Sequence, residues 1–145
     1  MNNLYNTLIE ISTRVLNVFS YEGQLTTQRA ACFDYMAIYA NDFNNELNSI
    51  HPKNKNRTSD LVSMLPLYEK CLNYLVLKGL VSVTISKKGI MYRARKGFSE
   101  YLNLISGAYM EKYRKNLKII YETYGSLNNS TLGKLVDSNI RERRI

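Results

Sequence analysis

Tryptophan is absent from this chain of 145 residues, proline and cysteine occur twice each, and histidine occurs once. The single histidine, His51, stands directly before Pro52, far along the chain from both cysteines, so no zinc-type ligand spacing exists. Neither Cys32 nor Cys71 belongs to a CxxC pair, and both sit among residues patterned like a helix face. Two buried, reduced thiols are the expectation. The glycines form no GxGxxG, GxxxxGK[ST] or GxSxG stretch, which removes the common phosphate-cradling loops and the nucleophile elbow. Asp34, Asp42 and Asp60 read as caps or salt-bridge partners rather than an acid/base pair. The residues therefore point away from an enzyme, with no catalytic, metal or cofactor site. No apolar run approaches the roughly 20 residues that span a bilayer, and the opening residues lack the order of a signal peptide. A cytoplasmic chain without membrane contact is expected.

Charge is present, and it is concentrated. The formal net charge is +8, but residues 1–50 carry 2 Lys and Arg against 5 Asp and Glu, while residues 51–97 carry 10 against 2. The middle third thus holds an excess equal to that of the whole chain. Such a concentration suits a polyanion or an acidic protein surface, and it also suits a merely solvated basic face.

Hydrophobic periodicity divides the chain into elements. Leu4, Leu8, Ile11, Val15 and Val18 draw one stripe down a helix over residues 7–21, ended by Gly23. Thr26 or Thr27 caps a second helix with Ala30, Phe33, Ala37 and Ala40 on one face. Residues 41–58 read as a long polar loop, partly mobile, with Phe43, Leu47 and Ile50 as isolated hydrophobes. Ser59 caps a short helix to Met64. Pro66 interrupts it or starts the next, a helix over 67–78 with Cys71, Leu72, Leu75 and Val76 inward and Gly79 as its left-handed cap. Val81-Ser-Val-Thr-Ile85 and Ile90-Met-Tyr-Arg-Ala-Arg95 flank a turn containing Gly89, the pattern of a β-hairpin. Residues 98–105 and 109–124 are helical, with a break at Gly107. Residues 126–145 form a polar tail in which Thr131 to Ile140 are patterned for a short last helix.

A mainly α fold with a small β-hairpin follows, in the order of a winged helix-turn-helix with extra N- and C-terminal helices. Residues 1–125 form that domain, and 67–78 is its recognition helix. Lys87 and Lys88 occupy the wing tip, and Arg93 and Arg95 alternate on the second strand. With Lys53, Lys55 and Arg57 of the long loop, they form a candidate nucleic-acid-binding set, because phosphates call for far-reaching, permanently charged donors. Basic wings also bind acidic protein surfaces. The recognition helix presents Tyr68, Glu69, Asn73, Tyr74 and Lys78 to solvent, a set poor in the bidentate readers of base edges and closer to a protein-binding face. Tyr68, Tyr74, Tyr109, Tyr113 and Tyr121 are accordingly the candidate protein-interface residues. The alternative for the tyrosines, which number 12 against 4 phenylalanines, is a buried ring with a hydrated hydroxyl.

The ordered stretches Thr27-Gln-Arg…Phe33-Asp-Tyr-Met, Ile50-His-Pro…Arg57-Thr-Ser-Asp-Leu61, Cys71-Leu-Asn-Tyr-Leu…Lys78-Gly-Leu-Val81, Gly89-Ile-Met-Tyr-Arg-Ala94 and Tyr101-Leu-Asn-Leu-Ile-Ser…Tyr109 resemble the middle component of ABC-three-component systems, the group that includes Lamassu defence against phages and plasmids. The resemblance extends from about residue 4 to 124 and lies in the order of these stretches rather than in one motif. It implies a small non-catalytic adaptor bridging an SMC/Rad50-like coiled-coil ATPase and an effector subunit, often a nuclease, with DNA contacted mainly through the complex. The other reading of the residues is a free-standing winged-helix DNA-binding transcriptional regulator.

Overall fold

A computed structural model describes residues 7–52 and 60–143, with the side chain of Arg143 left out. The described residues form six α-helices and a three-stranded antiparallel sheet: α1 (Leu8–Val18), β1 (Gln24–Leu25), α2 (Thr27–Ile38), α3 (Leu61–Leu77), β2 (Val81–Ser86), β3 (Gly89–Ala94), α4 (Phe98–Asn103), α5 (Ala108–Tyr124) and α6 (Asn129–Arg143). A 3-10 turn at Ala40–Asp42 follows α2.

Side-chain caps set the helix starts. Thr7 accepts from the Glu10 N–H, Thr26 from that of Arg29 and Asp60 from that of Ser63, each satisfying a donor with no partner inside its helix. Asp60 therefore replaces Ser59 as the cap; Ser59 itself lies outside the described residues. The helix that follows is continuous through Pro66. Proline lacks the N–H that would reach the Val62 carbonyl, yet both residues are exposed, so the missing bond falls on the wet side of the helix. The two helices expected from the sequence are thus one.

At the centre lies α2, buried continuously from Ala30 to Ile38, with α1, α3, α5 and α6 packed around it. Its small residues, Ala30, Ala31 and Ala37, let these neighbours approach closely on several sides. The short helix expected within the polar tail is longer, α6, and its Leu132, Val136 and Ile140 are fully buried. Asn139 accepts from the Tyr35 hydroxyl at 2.6 Å and donates to Asp42 at 3.1 Å, while Asp137 accepts the Leu61 N–H at 2.9 Å. A Cβ on Gly133 would stand 2.8 Å from the Gln28 amide nitrogen, so α6 sits close against α2.

The long polar segment is stitched down wherever it is described. Leu47 is buried, the Ile50 N–H donates to the Ile38 carbonyl at 2.9 Å, and Asn116 of α5 donates to the Asn48 carbonyl at 2.8 Å and the Ala37 carbonyl at 3.2 Å. The hairpin is joined by a strand the sequence did not announce, since β1 is two residues long and shows no alternation. The sheet order is β1-β3-β2, with Leu25 opposite Tyr92 and Val83 opposite Tyr92 on the other side.

Candidate functional site

Polar chemistry gathers in a buried ionic cluster and on the surface of the hairpin. The cluster converges on Asp34 of α2, which is fully buried. Arg14 of α1 meets it with two parallel bonds, Nε to Oδ1 and Nη2 to Oδ2, both 2.9 Å. Tyr68 of α3 donates to Oδ2 at 2.5 Å and Tyr113 of α5 to Oδ1 at 2.8 Å. Arg14 also donates Nη1 to the Tyr109 hydroxyl at 3.1 Å, and that hydroxyl lies 3.2 Å from His51 Nε2.

Burial alone would raise the Asp34 carboxyl, but the Arg14 charge and the hydrogen bonds from Arg14, Tyr68 and Tyr113 outweigh it and hold the carboxyl below its ordinary value. Burial likewise opposes the Arg14 cation, and the Asp34 charge overrides it, so that group is held well above its ordinary value. Burial first, and then the Asp34 charge, push the Tyr68 and Tyr113 hydroxyls upward. Asp34 is a carboxylate with four donors on its two oxygens. Such a group fixes the relative positions of α1, α2, α3 and α5 and is poorly suited to accept a proton from a substrate.

This arrangement corrects part of the tyrosine reading. Tyr68 does not face solvent, and Tyr113 is 0% exposed, so neither offers a surface to a partner in this structure. The helix period had placed Tyr68 outside, but its hydroxyl finds the carboxylate and its ring fills the space between helices. Tyr109 is half-buried against Arg14 and His51. Tyr121 is half-buried, stacked on Tyr21 at 5.0 Å between ring centroids and tilted on Phe33 at 5.1 Å. Tyr74 is half-buried with the Lys78 ammonium over its ring. The cluster itself was missed, although one signal was available. Arg14 lies three residues after Ile11 and four before Val18, a charged side chain set on the apolar face of its helix.

The hairpin provides the basic surface. Ser86 pairs with Gly89, which puts Lys87 and Lys88 at an exposed two-residue turn. Arg93 and Arg95 are exposed, two residues apart, while Tyr92 between the strands is buried with its hydroxyl 3.2 Å from Asn73 Oδ1. The sheet thus turns Tyr92 and Val81 inward and Arg93 outward. Lys53, Lys55 and Arg57 lie outside the described residues. On the inward face, apolar residues continue past the core: Val83 and Ile90 are each 41% exposed and Ile85 is 78% exposed. Leu77, at the end of α3 just before β2, is 86% exposed. Exposed hydrophobes adjoining on one face of a hairpin, as Val83, Ile85 and Ile90 do, mark a macromolecular contact more often than a small-molecule site. No helix among the described residues is long and apolar enough to cross a membrane.

Comparison with known proteins returns one family model, the ABC-three component (ABC-3C) system Middle Component 2, matching residues 4–144. No curated protein and no solved structure matches the chain.

Proposed function

Since the chain belongs to the Middle Component 2 family of ABC-three-component systems, whose organisation implies partner subunits, we propose that it is a non-catalytic adaptor in a Lamassu-type defence complex. In this reading it bridges an SMC-like coiled-coil ATPase and an effector, and both ATP hydrolysis and effector chemistry belong to those partners. The observation that carries the proposal is the hairpin, where Val83, Ile85 and Ile90 are exposed on one face of the sheet, Arg93 and Arg95 on the other, and Lys87 and Lys88 at the turn. An exposed apolar strand face next to a basic turn is the composition of a protein-docking surface, with burial supplying affinity and charge supplying orientation.

A winged helix-turn-helix is the architecture we propose for this scaffold. The order α1, β1, α2, α3, β2, β3, with β1 beside β3, supports it. Under that reading α3 would be the recognition helix, yet it exposes Val62, Leu67 and Leu77 and carries no arginine. Those residues favour protein over base edges. Direct DNA contact through the wing is a second reading, favoured by the outward Arg93 and Arg95.

Co-expression with the ATPase and effector encoded beside it tests the adaptor role. Affinity capture of this subunit should bring down both partners at defined stoichiometry, and the isolated chain should show neither ATPase nor nuclease activity. Recovery of this chain alone, with both partners soluble, would overturn the proposal.

A further inference from the structure

The sheet order β1-β3-β2 leaves the outer side of β2 unpaired among the described residues. Two backbone bonds reveal which groups face that side. The Arg95 N–H donates to the Leu80 carbonyl, and the Ala94 N–H donates away from β2, to the Gly23 carbonyl. In an antiparallel ladder the bonding direction alternates from residue to residue. Leu80, Ser82, Thr84 and Ser86 therefore bond toward β3, and the N–H and C=O groups of Val81, Val83 and Ile85 point outward. Val81 is buried, but Val83 and Ile85 are exposed.

This edge lacks the usual protections. Val81-Ser-Val-Thr-Ile-Ser86 contains no charge, no proline and no glycine, and four of its residues are β-branched. Edge strands of soluble proteins are normally blunted by a lysine, a proline or a bulge. Here the register is continuous from Val81 to Ser86. Val83, Ile85 and the cross-strand Ile90 also form an exposed apolar face that an added strand would extend.

We infer that the outer edge of β2 receives an extended, acidic segment of a partner protein as an added antiparallel strand. Charge selects this occupant over a second copy of the chain. Two copies would each bring the same basic Lys87-Lys88 turn and the same net charge of +8 to the pair, which is repulsive. An acidic segment instead meets Lys87 and Lys88 favourably at the turn end of the strand. Alternating apolar residues on the segment continue the face of Val83, Ile85 and Ile90. Its backbone takes the free groups of Val83 and Ile85. This deepens the adaptor reading by naming the chemistry the subunit grips.

The test uses the full chain and an end-blocked peptide of alternating valine and glutamate. Controls are the same peptide with lysine for glutamate and a version N-methylated at alternate residues. Binding of the acidic peptide should slow hydrogen exchange at the Val83 and Ile85 amides, while both controls bind at least about tenfold more weakly. Val83→Pro removes an outward N–H at a position where an edge strand tolerates proline, and it should abolish binding with an unchanged circular dichroism spectrum. Ile85→Glu, at a largely exposed side chain, removes apolar area, repels the acidic segment and should weaken binding without loss of fold. Equal binding by Val83→Pro, unchanged exchange at both amides, or a wild-type dimer that Val83→Pro dissociates would overturn the inference. The adaptor reading fails separately. A wild-type chain that captures no ATPase yet takes the peptide at β2 defeats that reading and keeps this one, whereas a Val83→Pro chain that assembles like wild type does the reverse.

Discussion

Replacing Asp34 with asparagine perturbs the interior at its most demanding point. The native carboxylate accepts two bonds from Arg14 and one each from Tyr68 and Tyr113. Asparagine keeps the shape but presents an NH2 group where two of those donors converge, and it leaves the Arg14 guanidinium buried without its counter-ion. Breaking one side of a buried ion pair costs about 3–5 kcal/mol, a large part of the roughly 5–15 kcal/mol that holds a domain folded. With a urea slope of about 2 kcal/mol/M, the unfolding midpoint followed by far-ultraviolet circular dichroism should fall by about 2 M. The quadruple variant Arg14→Met, Asp34→Leu, Tyr68→Phe, Tyr113→Phe removes the carboxylate together with its three side-chain partners and should recover most of the loss, since apolar replacement of a complete buried pair is often neutral. The pH dependence has a defined sign. The folded carboxyl is held below its unfolded value, so its contribution is fully present above the unfolded value of about 3.9 and is lost as pH falls through the folded one. Wild type should therefore lose more stability than Asp34→Asn as pH falls below about 4. A midpoint shift of less than about 0.5 M for Asp34→Asn at neutral pH would refute the assigned role of the cluster.

Other expectations follow from the same geometry. Gln at Lys87, Lys88, Arg93 and Arg95 should cost less than about 0.5 kcal/mol each in urea unfolding, because all four are exposed. If the wing touches DNA, fluorescence anisotropy should show affinity for unrelated duplexes falling about equally, with a shallower salt dependence; unchanged affinity and slope would sink wing contact. Burial pushes the Cys32 thiol up to about 12 and the Cys71 thiol up to about 11, so a chromogenic disulfide reagent at pH 8 should label neither in the folded chain and both in urea. Gly107 precedes α5 at φ 124° and ψ 163°, a backbone region open to glycine almost alone, and a Cβ there would meet no neighbour. Gly107→Ala should thus cost about 1–3 kcal/mol from backbone strain alone, read as a lower melting temperature.

Local chemistry was legible in the chain itself. The cap at Thr26, the stop at Gly79, the hairpin about Lys87 and Lys88 and the break at Gly107 depend on residues within a few positions of one another, and each has a strong intrinsic preference. So does the concentration of positive charge in the middle third. Tertiary structure decided what periodicity has no means to encode. Tyr68 and Tyr113 left the expected surface because one buried carboxylate, 34 residues from one and 79 from the other, offered their hydroxyls a stronger partner than water. Residues 129–143 became a packed helix because Leu132, Val136 and Ile140 found α2 and α3 to cover them. The strand β1 exists only because β3 has a side to pair, and the free edge of β2 exists because nothing among the described residues pairs the other. Pairing and burial are relations between distant segments, and they override local preference where they satisfy a charge or cover an apolar face.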